Sequence, residues 1–497
     1  MFRNITSRVE GLSPPFSLRE VGGLLGFKGN ISLRELCQDN DKYARICVAP
    51  LTVLQQNMGL LVAPASYGGT EREKAIEALI ANLRSHQPDI VGLEECFSDG
   101  EREQIKSQLR DVYPYSHEGP DEADVESDGG LLLLSRYPIV DSHQTIYRQC
   151  CGEDCLANKG VLHARIAVPG HPVEYDIFLT HMQSCPPVVG EKPNIGKGSN
   201  CWEKLRHYQT VHLNDFVQGH SDPHRVPILM GDFNHNGLDA DKYGGLVARL
   251  QNPDDLWTLS GDTSKQGITS DSHSSFEDDK PARSVDDPAR HQTGSRLDYF
   301  FTWSQGRLFA PVFADTHVVV WQSSPGRDIS DHYGVWARQT CVREVAVDQT
   351  QSLSNVQLKL SRYRCLLETG GSITVISPAI DDDEVEFELR FQAASGFSGK
   401  TRIDLIEDLN AGSAGAFADA TVLNCGTPGD WLDVTVQAWE VDVGLGIETG
   451  RVSLGPTSIR LDQKELCGHL SQSYERVLPI LAGDGGEYAV AVEINVG

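Results

Sequence analysis

Asp89-Ile-Val-Gly-Leu-Glu-Glu95 is the stretch on which the fold turns. Its short apolar run, bounded by Pro88 in front, reads as a buried strand, and two carboxylates stand directly at its end. Upstream, Ile76, Leu79, Ile80 and Leu83 fall on one helical face at i, i+3, i+4 and i+7. Thr70 and Glu73 have the spacing of a capping box, so a helix is expected to start there and to stop before Pro88. A helix feeding a buried strand is the repeating unit of an α/β fold, and ligands gather at the carboxyl ends of such strands.

The same grammar recurs on both sides of this unit. Leu51–Gln56 is a strand-like run ending in Asn57, and Tyr175–Thr180 ends in His181. Pro227–Met230 runs into Gly231-Asp232-Phe233-Asn234, Asp298 precedes an apolar run, and Val318–Trp321 leads through a loop to Ser330-Asp331-His332. One polar residue at one strand end is a turn or a cap. Six ends that offer Asn, Glu, His, Asp-x-Asn, Asp and Asp-His supply hard oxygen ligands and two imidazoles. That combination suits magnesium-assisted attack on a phosphate ester.

The chain of 497 residues is long enough for two or three domains. Its formal charge is −27, from 43 Lys and Arg against 70 Asp and Glu. Such a balance counts against nucleic acid and strongly anionic membranes as partners, because both are held mainly through Lys and Arg. The pattern changes near residue 340, beyond which strand follows strand. Val385, Phe387, Leu389 and Phe391 alternate with Glu384, Glu386, Glu388 and Arg390, and Tyr488, Val490, Val492, Ile494 and Val496 repeat the period. An all-β sandwich is expected there, with the acidic run Asp381–Glu384 as a solvated loop. Neither a secretory leader nor a membrane span is recognisable in the first 30 residues. Twelve cysteines without Cys-x-x-Cys spacing argue against structural zinc. They leave disulfides open for an exported protein and buried thiols for an intracellular one.

Ile90-Val-Gly-Leu-Glu-Glu95, Leu179-Thr-His181, Gly231-Asp-Phe-Asn234 and Ser330-Asp-His332 resemble, in order, the signature blocks of the endonuclease/exonuclease/phosphatase superfamily. Tyr67-Gly-Gly-Thr-Glu-Arg72, Asp128-Gly-Gly130 and Cys151-Gly-Glu-Asp-Cys-Leu-Ala-Asn-Lys-Gly160 resemble its bacterial neutral, magnesium-dependent sphingomyelinases. The resemblance implies a four-layer α/β/β/α catalytic domain over 49–340, and residues 1–48, an N-terminal extension to which no role is assigned, lie outside it. Residues 341–497, the expected β-sandwich, lie outside it. It further implies hydrolysis of sphingomyelin, or a related choline phospholipid, to ceramide and phosphocholine at a zwitterionic membrane surface. A nuclease of the same superfamily and a non-catalytic lipid- or partner-binding protein are the alternatives. One departure concerns the membrane. The bacterial enzymes carry a long hairpin with exposed aromatics before the final Asp-His, where this chain has only Trp321 and the short loop Ser323–Arg327.

Roles carry over onto matching residues. Glu95 is implied as the principal Mg2+ ligand, with Asn57 nearby and with Mn2+ or Co2+ able to substitute. His332 is implied as general base, its ring oriented by Asp331. His181 and Asn234 would face phosphoryl oxygens, Asp232 would assist the leaving alkoxide, Asp298 would orient His181, and Lys159 would contact the substrate. A disulfide from Cys151, closing the Gly- and Pro-rich loop that leads to Cys201, is also expected.

Overall fold

In this computed structural model, strand β1 (Tyr43–Leu60) joins an antiparallel neighbour near residue 340 to a parallel one close in sequence. The structure describes residues 43–497 apart from 62–68, 122–127, 148, 151, 185–200, 272–273, 277–280, 289, 346–354, 368–382, 397, 407–413, 418–421, 427, 429, 445–446, 470–471 and 483–486. In chain order the next strands are β2 (Ile90–Cys96), β3 (Tyr115–Gly119), β4 (Leu131–Ser135), β5 (Ile139–Ile146), β6 (Gly160–Ala167), β7 (Glu174–His181) and β8 (Val226–Asp232). They are followed by β9 (Asp254–Asp255), β10 (Asp298–Thr302), β11 (Phe309–Val319) and β12 (Gly334–Val345). One six-stranded sheet has the order β11-β12-β1-β2-β4-β3 and a second has β5-β6-β7-β8-β10-β9.

The cores follow from side-chain alternation along these strands. Leu51, Val53 and Ile90 from the first sheet share a buried cluster with Ile177, Leu179, Ile228, Met230 and Phe300 from the second. Their neighbours point outward to helices. Val91 and Leu93 meet Ile76, Leu79, Ile80 and Leu83 of α1 (Gly69–His86), together with Ile105 and Leu109 of α2 (Asp99–Leu109). Phe178 and Leu229 meet Leu213, Phe216 and Val217 of α3 (Cys201–His220). The helix expected before Pro88 is therefore present with the apolar face the spacing requires. The side chain of Thr70, as well as Tyr67, Gly68, Cys151 and the acidic stretch 381–384, lies outside the described residues or side chains.

Strand β12 continues past the boundary expected at residue 340, pairing Cys341 with Cys47 and Val345 with Tyr43. Beyond it two further sheets share one core, in which Val356, Leu358, Val490 and Val492 pack against Val385, Phe387, Val434 and Val436. A short helix at Gln463–Gly468 is the one helical element there among the described residues. Two details differ from simple alternation. Glu386 and Glu388 are buried, Glu388 between Arg390 and Lys400. Ala489 and Ala491 of the final strand are buried as well, because this sheet lies against α3. Asp215 of α3, itself buried, accepts from Arg364 at 2.8 Å, and Lys464 reaches Glu344 at 2.9 Å. Among the described residues no helix is long and apolar enough to cross a membrane.

Gly231 shows how tightly the second sheet is drawn together. It has φ +144°, and a Cβ there would sit 1.9 Å from the carbonyl oxygen of Thr180 in the neighbouring parallel strand. Only glycine lets β8 pass β7 at this point and carry Asp232 to its place beside His181. Gly231→Ala is expected to lower unfolding free energy by about 2–4 kcal/mol through backbone displacement and strain, measured by denaturant titration.

Candidate active site

Each inward-facing stripe of the core ends in a polar residue at the same edge. Leu51 and Val53 lead to Gln55 and Asn57, Ile90 and Gly92 to Glu94, Ile177 and Leu179 to His181, and Ile228 and Met230 to Asp232, while Phe300 follows Asp298. Strand register places these ends side by side. Asn57 is opposite Glu94, His181 opposite Asp232, and Asp232 opposite Asp298. Glu95 would point to the helical side if alternation continued. Its backbone instead adopts φ +56°, and Asn234 adopts φ +51°, a conformation rare for residues other than glycine. The turn at Glu95 brings consecutive carboxylates to one seam.

The contacts there are dense. Asn57 Nδ2 donates to Glu95 Oε1 at 3.0 Å and to Asp232 Oδ2 at 3.1 Å. His181 Nε2 lies 3.5 Å from Glu95 and 3.8 Å from Asp232. Lys159 is not a surface residue. Only 5% exposed, its Nζ touches His181 Nε2 at 3.1 Å, Met182 O at 3.2 Å and Asp154 Oδ1 at 3.0 Å. Asp154 also accepts from Ser184 N at 2.6 Å, so the Cys151–Gly160 segment is tied to the loop after β7. Asn234 donates its backbone N–H to Asp232 Oδ1 at 2.8 Å and its side chain to Met182 O at 3.1 Å.

Two orientations differ from those expected. The ring of His332 is held by Asp298, not by Asp331, with Nδ1 2.9 Å from Asp298 Oδ2. The chain bends at Ser330 and Asp331, which turns the Asp331 carboxylate away from its neighbour's ring. Its Oδ1 accepts from Ser330 Oγ at 3.3 Å and lies against Gly59. Asp298 therefore does not orient His181, whose Nδ1 is buried without a partner. Two residues, Gln55 and Glu94, join the site without a role assigned from the sequence. Gln55 Nε2 bridges Asp298 Oδ1 at 2.7 Å and Glu94 Oε2 at 3.0 Å. A glutamine breaking an apolar strand is the signal that could have found it.

The electrostatics follow from burial. Glu94 is pushed well above the usual carboxylate range by desolvation and by Asp298 and Asp232. Burial and Asp298 raise Asp232 to about 7, against the pull of His332. Glu95 is raised by burial and Asp331, with Lys159 and Asn57 opposing. Burial, Lys159 and His332 hold His181 well below its ordinary value, which favours the neutral ring. Burial also opposes the imidazolium of His332, but Asp298 and Asp232 outweigh it and keep its pKa well above the ordinary one. Glu95, His181 and Asp232 each offer a ligand atom within 4.8 Å of the others, and buried carboxylates in excess of nearby cations fit a small divalent ion.

Among the described residues a disulfide joins Cys150 to Cys155 in the segment beside Lys159. The pairing expected between Cys151 and Cys201 falls on residues or side chains outside those described. Trp321 is buried, stacked on His86 with ring centroids 5.8 Å apart, and the Gln322–Ser324 hairpin beside it is short.

Two sheets whose adjoining strand ends carry acids and histidines form one polar site whose residues could hold a metal ion. A sequence profile of the endonuclease/exonuclease/phosphatase family matches residues 55–332, more than half of the chain, and the chain belongs to that family. It is 25% identical to a sphingomyelinase C of Bacillus cereus over 300 residues, 55% of this chain and 83% of that protein. It is 29% identical to a phospholipase C of Staphylococcus aureus over 162 residues, 30% of this chain. That match spans 46% of the staphylococcal protein, about half its length. Among solved structures, beta toxin of Staphylococcus aureus is similar with a TM-score of 0.44 and 22% identity, covering 58% of this chain and 99% of that one.

If His332 serves as a base, its contact with Asp298 sets a pH dependence. A base must be neutral to accept a proton, so a raised histidine pKa moves the acidic limb of activity to higher pH. Asp298→Asn is expected to move that limb to lower pH, and Asp331→Asn to move it less. Profiles of kcat/KM against pH for the two variants decide the matter. The reverse order would show that Asp331 governs the ring.

Proposed function

We propose that this protein is a divalent-cation-dependent phosphodiesterase that hydrolyses sphingomyelin, or a related choline phospholipid, to ceramide and phosphocholine. The observation that carries the proposal is the Asp298–His332 pair beside the Glu95, His181 and Asp232 cluster. Relatives named sphingomyelinase C and phospholipase C support the substrate class.

In this reading Glu95, with Asn57 beside it, holds the ion, for which magnesium is the expected metal. When bound, the ion supplies positive charge to a phosphoryl oxygen. His332 accepts a proton from the attacking water at Nε2, while Asp298 fixes the opposite nitrogen and stabilises the imidazolium that forms. Oxygen attacks phosphorus as the bond to the ceramide oxygen breaks. Asp232, its pKa raised by burial and Asp298, is placed to pass a proton to the leaving alkoxide, directly or through water. Lys159, His181 and the amide of Asn234 line the position of the phosphoryl group. Lys159 donates to His181 Nε2, which keeps that ring neutral and fixed. Asp331, at the partly exposed rim, adds negative charge next to Glu95. The lipid is expected at a zwitterionic surface, since the charge of −27 opposes an anionic one. With Trp321 buried, contact with such a surface has to come from other residues.

Purified protein with magnesium, offered sphingomyelin, lysophosphatidylcholine and DNA in parallel, tests this reading. Choline-phospholipid turnover is expected, lost in Glu95→Ala and about 100–10,000-fold slower in His332→Ala. Turnover of DNA alone would assign the site to a nuclease, and undiminished turnover by folded His332→Ala would remove His332 as the base.

A further inference from the structure

A cavity of about 350 Å3 lies between the catalytic region and the C-terminal sheets. Gln218 and Ser221 at the end of α3, Trp303 and Arg307 line one side, and Tyr474 and Arg476 line the other. It is remote in composition from the active site and shares none of its residues.

Arg307 is the anomaly. Its side chain is only 9% exposed, yet no described residue gives its guanidinium a hydrogen bond or a salt bridge. Buried arginines are found paired, because an isolated charge in the interior is costly. The nearby carboxylates are already engaged. Asp176 is held by Arg225 at 2.7 Å and His163 at 3.0 Å, and Glu465 by Arg476 at 2.5 Å. Glu475 is held by Arg362 at 2.7 Å. Asp222 lies 3.9 Å from both Arg225 and Arg476. Burial and the charge of Arg476 lower Arg307 to about 10, outweighing the opposing charges of Asp176 and Asp222.

A second unmet donor belongs to a residue that lines the cavity. Gln218 Nε2 is shut off from solvent and has no hydrogen-bond partner. Two unsatisfied donors and a second guanidinium around one cavity call for a ligand rich in acceptor oxygens. A phosphate matches the fork of an arginine, and its negative charge supplies what Arg307 lacks. The volume exceeds that of a bare phosphate and falls in the range of small-molecule pockets, with Trp303 and the stacked rings of Tyr474 and His469 as apolar walls.

We infer that this cavity binds a phosphate-class oxyanion, free or as the phosphomonoester end of a small molecule, through Arg307, Gln218 and Arg476. Because the donors come from both sides of the junction, such an anion binds only when the C-terminal sheets are docked on α3, and it stabilises that arrangement.

The test uses the full chain in phosphate-free buffer with a chelator, so that a metal-held phosphate at the active site does not contribute. Inorganic phosphate and phosphocholine are titrated separately, with melting temperature and calorimetric affinity as readouts. Wild-type protein is expected to gain melting temperature with inorganic phosphate. In Arg307→Met the gain is expected to vanish, while the variant alone in anion-free buffer melts above wild type because an unpaired buried charge has gone. Arg307→Lys, which keeps the charge without the fork, and Gln218→Leu should each bind at least about tenfold more weakly. A response to phosphocholine equal to that of phosphate identifies phosphomonoesters as ligands, and a response to phosphate alone identifies the free ion. No anion-dependent gain in wild type, or an equal gain in Arg307→Met, would overturn the inference.

Discussion

Glu94, Glu95, Asp232 and Asp298 share one buried seam, and their mutual repulsion sets the terms for everything placed around them. Asp232 and Asp298 offer ligand atoms within 4.8 Å of one another. At that distance two full charges repel by about 3.5 kcal/mol with an effective dielectric constant of about 20. Keeping an ordinary carboxyl group protonated at neutral pH costs about 4 kcal/mol, so the two alternatives are nearly balanced. The seam answers with protons and with donors. Asp232 rises to about 7, Asp298 holds the ring of His332, and Gln55 donates to Glu94 and Asp298 together. Lys159 is already held by Asp154, which leaves Glu95 and Asp232 as the carboxylates best placed for a divalent ion.

The fold delivers these groups through register. Inward stripes of Val, Ile, Leu and Met knit two sheets together, and each stripe is replaced at its last position by a polar residue. The glycine at 231 allows the close approach that sets Asp232 against His181, and the left-handed backbone at Glu95 adds a second carboxylate from one strand. Such strained positions persist only where the surrounding structure determines them, here the helices packed on the outer faces of both sheets.

Much of this was legible in the sequence. The helical spacing of Ile76, Leu79, Ile80 and Leu83 and the apolar runs before Asn57, His181 and Asp232 report local periodicity, which depends on few distant contacts. The identity of the polar residues at the run ends then named most of the site. Partnership was not legible. Asp331 and His332 are adjacent in sequence, yet the ring of His332 is held by Asp298, which the meeting of two sheets brings from 34 positions away. The burial of Lys159 was equally hidden, because a lysine in a loop is judged by surroundings that come from β7 and the loop after it. In the C-terminal region, Glu388 escaped the expected alternation because Arg390 and Lys400 cover it.

A divalent ion at the seam is the claim on which the chemistry rests. Manganese offers a direct view, since its anomalous scattering locates it without reference to activity. Crystals of the intact chain soaked in a manganese salt are predicted to show an anomalous peak bonded to Glu95 and adjacent to Asp232, with the His332 ring still on Asp298. The absence of a peak there in crystals of enzyme that is active with manganese would contradict the account.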